Sequence, residues 1–465
     1  MKIRMFLCKR AVSLFILIFP ISLPGQSAGN SSAVNPVIDW GRIATQAAEA
    51  NGLINLPIVE SRIYAMTFLA VHDALNAIDR RNHSYALKLR GRPNASIEAA
   101  VASAAHQVLV DQFSRLPGLF GISAEQAFFD DAYSRALMAI PDGSEKNAGI
   151  FIGQAAAATI LAVRAGDGWE TQTYPDFNYV QGTKPGEYRF TDGNPFAFGP
   201  NWGEMQPFAL RSGRQFRPEP PYRVRGHRYA EDVNEIKALG GNGTTTPSAR
   251  TADETEIARF WYEDAPLQWN RIARSIASDR KLDPWQCAQL LAWLNVAQAD
   301  GYIASFNAKY YYKFWRPETA IRLANTDENP ETTADPTWTP LLQTPPVPDY
   351  DSAHSVEGAA AAQVFIHAFH RNDIPFSTCS TTLLPGQNCN DPGAIYRSYA
   401  SFSEAAYENG LSRILVGIHF RHAVDEGLAH GRKIGDWTVA RILQPVRRDS
   451  TGFSDASAET PDTDR

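Results

Sequence analysis

Leu411-Ser-Arg-Ile-Leu-Val-Gly-Ile-His419, inside the longer run from Glu404 to Gly435, is the stretch whose reading decides the fold. Leu411, Ile414, Leu415 and Ile418 recur at i, i+3, i+4 and i+7, one apolar face of an amphipathic helix. Ser412 and His419, seven residues apart, then share a second face, with Arg413 at its border. Gly417 in a helix interior costs about 1 kcal/mol relative to alanine, so something is expected to approach the backbone closely there. An arginine and a histidine spaced this way suit an anion.

Outward from this stretch the chain reads as helix after helix. Ile63 to Ile78 is apolar nearly all round, which predicts a buried helix. His72 and Asp73 interrupt it and are read as a hydrogen-bonded core pair. Helices are expected over Ala95–Phe113, Ala124–Ala139, Ser144–Ala165, Thr251–Ser278, Asp283–Tyr312 and Ser352–His370. Residues 166–225 are rich in Gly, Pro and aromatics; a loop this long is functional or disordered, and its aromatics favour an ordered lid or wall. The expected architecture is all-α: a large bundle, two packed four-helix bundles, with long irregular loops. The expected divisions are a signal peptide over 1–29, an N-terminal helical half over 30–225, a C-terminal half over 226–447 carrying the anion site, and a disordered tail over 448–465.

The 465 residues are 44% hydrophobic with net charge −6, and no polybasic run is present. Nucleic acid and anionic membrane surfaces are therefore not expected partners. Lys2, Arg4, Lys9 and Arg10 precede an apolar run and a small-residue cluster, the pattern of a secretory signal. Ala11–Ile21 is short for a bilayer span, which takes about 20 residues. No later segment reads as a span, so an exported protein without stable membrane insertion is expected, periplasmic or extracellular. Cys379 and Cys389 flank a polar loop and make a local disulfide plausible in such a compartment. Cys287 reads as a small buried hydrophobe. Homo-oligomerisation is left open.

Two further pieces complete the chemistry. In Lys309-Tyr-Tyr-Tyr-Lys-Phe-Trp-Arg316-Pro317, Lys309 and Arg316 fall on one helical face, where two cations either answer a buried anion or reach out to solvent. In Pro348-Asp-Tyr-Asp-Ser352-Ala353-His354, a loop delivers Ser352 to a helix N-terminus, where free N–H groups favour an anion; the plainer reading is an N-cap. Arginine suits bidentate recognition of an oxyanion and lysine acts as a point charge. One histidine can serve as nucleophile or ligand, the other as acid or base.

Lys-x6-Arg-Pro, then Ser-x-His, then Ser-Arg-x5-His resembles the signature shared by vanadium-dependent haloperoxidases and type-2 phosphatidic acid phosphatases. Each piece alone is weak; three in order over residues 309–419 are specific, and the resemblance extends over most of the chain. It implies vanadate as cofactor, with hydrogen peroxide and halide as partners and hypohalous acid as product. It implies that His419 binds vanadium, that Lys309, Arg316 and Arg413 neutralise the vanadate oxygens, and that the Ser352 hydroxyl and Ala353 N–H add hydrogen bonds. His354 would be the catalytic acid/base. Trp315 would line the halide side or simply pack. The chain departs from the usual pattern at Ala353, where glycine is usual, and at Asp351, where proline is usual. Asp351 would point away, pair with a cation, or raise the pKa of His354. Asp300 is read as solvated rather than orienting, and His422 as a supporting residue rather than half of a metal pair. The same residues would support a soluble exported acid phosphatase using a phosphohistidine, or an oxyanion-binding protein without turnover.

Overall fold

The helices begin where sequence chemistry starts them, and their caps are visible. The computed structural model describes residues 35–89, 92–116, 122–383, 389 and 393–446. The signal peptide over 1–29 and the tail over 448–465 lie outside the described residues. In chain order the helices are α1 (Pro36–Asn51), α2 (Pro57–Ile78), α3 (Ile97–Ser114), α4 (Ile122–Met138), α5 (Ser144–Val163), α6 (His227–Leu239), α7 (Ala252–Phe260), α8 (Ala265–Asp279), α9 (Pro284–Tyr312), α10 (Pro317–Arg322), α11 (Ala353–Phe369), α12 (Phe402–Leu415) and α13 (Arg421–Arg441). The only sheet among the described residues is a hairpin of β1 (Phe376–Cys379) and β2 (Tyr396–Tyr399), in antiparallel register from Phe376↔Tyr399 to Cys379↔Tyr396. The expected all-α class is borne out.

α9 is the spine. Asp283 and Gln286 form a reciprocal capping box at its start and Pro284 occupies N1, the position where a missing N–H costs nothing. Nearly every side chain from Cys287 to Lys309 is buried, because α9 packs against both α2 and α11. α11 in turn lies along α13. Gly427, Gly431 and Gly435 recur every fourth residue of α13, and a Cβ at each would press on the carbonyl oxygen of Ser352, Val356 or Ala360 of α11. That stripe lets the two backbones close together, and it holds the start of α11 in place.

Residues 166–225 form the expected wall, with little regular structure. Two buried carboxylates tie such loops down. Asp300 of α9 accepts the N–H groups of Phe208, Ala209 and Leu210 at 2.6, 2.7 and 2.8 Å. The solvated reading of Asp300 is corrected: it is fully buried, and burial pushes its pKa up to about 6 against the pull of those bonds. Asp73 does the same for Tyr85, Ala86 and Leu87, and its pairing with His72 at 3.2 Å bears out the core reading. Arg164 adds bonds to the carbonyls of Gln206 and Pro207.

Three further expectations are corrected. Thr251–Ser278 is two helices, not one, because Asp264 caps a new helix that starts at Ala265. α6 had no counterpart in the sequence reading. α5 is long and apolar enough to cross a membrane, contrary to the expectation that no later segment is; in the fold its Gly149 and Gly153 sit against the backbone of α3. Cys379 and Cys389 are joined in a disulfide with Cα atoms 5.6 Å apart, and Cys287 is buried.

Candidate oxyanion site

Lys309, Arg316, Ala353, His354, Arg413 and His419 line one cavity of about 640 Å3. Its walls come from the aromatic loop (Tyr174, Phe196, Phe198), from α9 (Tyr302, Phe306), and from Tyr262 and Thr382. Ser352 stands just behind this lining. Its Oγ accepts from the Ser355 N–H at 3.4 Å and from the Ser355 hydroxyl at 2.8 Å, so it is the N-cap of α11. The first N–H groups of α11 have no intrahelical acceptor, and Ala353 and His354 bring that helix end to the cavity.

The residues converge by a route the periodicity did not predict. Lys309 and Arg316 do not share a helical face. α9 ends at Tyr312, Lys313 takes the left-handed conformation (φ 50°), and Pro317 confines Arg316 to the extended region (φ −82°, ψ 156°). Likewise Glu404–Gly435 is not one helix. α12 stops at Leu415, and Gly417 turns the chain at φ +89°, where glycine is strongly favoured. A Cβ there would strike the Gly240 carbonyl and, at 2.9 Å, Pro340 Cβ; the close approach foreseen at Gly417 is real. His419 thus sits in the break before α13, and Ser412 is left behind, its hydroxyl donating to the Asn409 carbonyl at 2.6 Å.

Each cation is held by carbonyls. Lys309 Nζ donates to the carbonyls of Pro348, Asp349 and Asp351 at 3.0, 2.9 and 2.5 Å. Burial, then the Arg316 charge, lower its pKa to about 7. Arg316 donates from Nε to the Val347 carbonyl (2.6 Å) and from Nη1 to the Ile418 carbonyl (2.8 Å). Arg413 donates from Nη2 to the Trp261 carbonyl (2.5 Å) and from Nε to Ser412 Oγ (3.0 Å). Burial lowers the pKa of both arginines, that of Arg413 to about 10.

The two histidines differ in tautomer. Arg316 Nη1 stands 3.0 Å from His419 Nε2. A guanidinium only donates, and the same Nη1 is 3.5 Å from Nδ1; the shorter contact, with the Asp349 carboxylate beside Nδ1, puts the lone pair on Nε2 and the proton on Nδ1. Nδ1 lies 2.9 Å from Asp349 Oδ1, at an angle short of a formed hydrogen bond. Burial, then Arg316, Lys309 and Arg413, hold the His419 pKa well down, so the ring is neutral. His354 is the reverse. Its Nε2 is 3.0 Å from the Glu263 carbonyl, which only accepts, so Nε2 carries the proton and Nδ1 is bare. Burial and then Arg413 lower its pKa to about 3.

Asp351 does not reach His354. Its carboxylate accepts from Ser305 Oγ at 2.6 Å and pairs with His430 Nδ1 at 2.7 Å. Burial opposes its ionisation, but His430, Lys309 and Ser305 prevail and its pKa is lowered. Trp315 is a packing residue: fully buried, stacked against Tyr229, and absent from the cavity lining. His422 stacks on Tyr222 at 3.8 Å, outside the cavity, and no cluster of three metal-ligating side chains occurs among the described residues. Asp349, Tyr262, Asp264 and Tyr302 went unmarked in the sequence. Asp349 alone had a signal, lying three residues before Ser352.

Lys309, Arg316 and Arg413 bring three positive charges to one buried cavity. Asp351 is already paired, and burial raises the Asp349 pKa to about 7 against the pull of Arg316 and Lys309. Buried charge of one sign calls for a counter-charge. A tetrahedral or five-coordinate oxyanion would supply it, with a neutral nitrogen lone pair and a helix N-terminus lining the same cavity. The class defined by fold and site is a helical protein with a buried cavity lined by three cationic side chains and two histidines.

Comparison with known proteins agrees. Residues 289–448 match the family model of the VCPO second helical-bundle domain. The chain is 23% identical to the vanadium chloroperoxidase of Curvularia inaequalis, with 86% of this chain and 81% of that protein covered. A crystal structure of a bacterial vanadium-dependent iodoperoxidase superposes with TM-score 0.71 at 25% identity, covering 88% of this chain and 98% of the other. A holo-type bacterial vanadium-dependent chloroperoxidase shares the fold, with TM-score 0.63 at 17% identity over 82% and 90% of the two chains. The resemblance carried by the three motifs is borne out: the chain is related to the vanadium haloperoxidases, and its second half carries their helical-bundle domain.

Proposed function

We propose that the protein is an exported vanadium-dependent haloperoxidase that oxidises a halide with hydrogen peroxide to hypohalous acid. The observation that carries this reading is the neutral His419, its Nε2 lone pair 3.0 Å from Arg316 Nη1, in the one cavity that Lys309 and Arg413 also line. His419 Nε2 would bind vanadium. Lys309, Arg316 and Arg413 would neutralise the vanadate oxygens, and the Ala353 N–H, with the Ser352 cap behind it, would add hydrogen-bond support. When bound, vanadate in its highest oxidation state supplies a Lewis acid that polarises the peroxide toward halide attack. His354, bare at Nδ1, is placed to take a proton from incoming hydrogen peroxide. The aromatic wall limits water around the reacting oxygen. At Ala353 the N–H of the usual glycine survives, and the extra methyl lines the cavity.

The experiment is a halide oxidation assay. Purified protein with hydrogen peroxide and iodide or bromide is expected to turn over only when orthovanadate is added. Vanadate-independent hydrolysis of p-nitrophenyl phosphate without halide oxidation would instead establish the phosphatase, and tight oxyanion binding with neither activity would establish a binding protein.

A further inference from the structure

A pair of buried acids beside the cavity plays no part in the roles above. Glu60 lies in the first turn of α2 and is fully buried. Asp264 caps α8, its Oδ2 accepting the Leu267 N–H at 2.9 Å, and it also lines the cavity. The Glu60 carboxyl is within hydrogen-bonding reach of the Asp264 carboxyl and the Tyr64 hydroxyl. Yet neither Glu60 oxygen, nor Asp264 Oδ1, receives an aligned bond from any donor. Two carboxylates facing each other away from water cannot both stay ionised. A carboxylic acid and a carboxylate can, joined by one O–H···O bond.

We propose that Glu60 and Asp264 share one proton at neutral pH and deliver it, through Asp264, to the oxygen reacting in the cavity. The proposal rests on the haloperoxidase reading. Hydrogen peroxide, a halide ion and one proton give hypohalous acid and water. The O–O bond breaks, the halide gives up two electrons and bonds to one oxygen, and the other oxygen leaves as water with the added proton. His354 can only return the proton it takes from hydrogen peroxide, so the one further proton the balance needs comes from another group. The pair does, and refills from solvent through the cavity.

The surroundings suit a proton held in common. Facing the pair are Tyr64 on α2, Glu49 on α1, Glu263, Arg274 on α8, Tyr302 on α9 and, beyond it, Glu357 on α11. The cations nearby are Arg274, Arg271 paired with Glu263, and Arg413 across Tyr302; burial outweighs them and, with Glu49 and Glu263, favours the protonated pair. Burial is the largest effect raising both pKa values; for Asp264 the next is Glu60 itself.

Two measurements on the full chain test this. In the vanadate-free protein at pH 7, infrared difference spectra of wild type minus Glu60→Gln, and of wild type minus Asp264→Asn, should each show a carboxylic-acid band. Asparagine retains the cap of α8. In the vanadate-loaded protein, both variants should lose about a hundredfold or more in kcat near neutral pH, in the 10²–10⁴ range of general acid catalysis. Vanadate affinity should be unchanged, and the alkaline limb of the kcat profile should move. No band in either difference spectrum, or wild-type kcat and pH profile in both variants, overturns the proposal. If wild type binds vanadate but oxidises no halide, the haloperoxidase reading and this delivery step both fall, and the infrared band then reports separately whether the shared proton exists.

Discussion

Arg316 Nη1 and His419 Nε2 stand 3.0 Å apart, donor to lone pair, in a cavity walled off by aromatic side chains. Together with Asp349 beside Nδ1, that contact sets the tautomer of His419, and it brings a planar guanidinium to the cavity an oxyanion would occupy. It also joins two stretches that lie 103 residues apart.

Arginine and lysine are not interchangeable at such a position, because only the fork can serve Val347, Ile418 and the site together. Arg316→Lys is expected to weaken vanadate binding by about tenfold or more, a loss of about 1.4 kcal/mol. Equilibrium titration with orthovanadate reads it; unchanged affinity would remove Arg316 from the site.

Asp349 sits 2.9 Å from His419 Nδ1 and beside Lys309 and Arg316. Partners behind a metal-binding histidine commonly alter affinity about 10–100-fold. Asp349→Ala is expected to weaken vanadate binding within that range while circular dichroism stays that of wild type. An affinity equal to wild type would mean that Nδ1 needs no acidic partner.

The His354 pKa falls from 6.5 in the unfolded chain to about 3 in the folded one, mainly through burial. A depressed folded pKa contributes stability above pH 6.5 that is lost as pH falls toward 3, because the unfolded chain takes up the proton first. Between those limits, wild type is expected to lose stability more steeply than His354→Gln. Urea denaturation across that range tests it, and parallel curves would place His354 in a more solvated setting.

Gly417 takes φ +89° against the Gly240 carbonyl. Gly417→Ala is expected to cost about 1–3 kcal/mol, seen as a lower Tm, and to weaken vanadate binding by displacing His419. A variant as stable as wild type would show that the turn tolerates a side chain.

The helical class and most of the residues that line the cavity were legible because they rest on local signals: apolar periodicity, caps, and three short motifs. What brings those residues together was not. Lys309–Arg316 and Ser412–His419 read as helical spacings, yet a left-handed Lys313, the Pro317 restriction and the Gly417 turn break both helices. The Pro317 break is local and readable from the sequence; the others depend on tertiary contacts, as when Gly417 meets Gly240, and periodicity carries no trace of them. Asp300 read as solvated for the same reason: its three N–H partners come from a loop about ninety residues away. Asp264 was hidden inside what looked like one continuous helix. The disulfide, closed over ten residues, needed only local sequence.

The most direct test compares vanadate binding and turnover in two variants. His419→Ala is expected to abolish vanadate binding, whereas His354→Ala is expected to bind vanadate nearly as wild type does and to lose halide oxidation. Equal loss of binding in both, or vanadate bound by His419→Ala with wild-type affinity, would contradict the assignment of His419 as the vanadium-binding residue of this pocket.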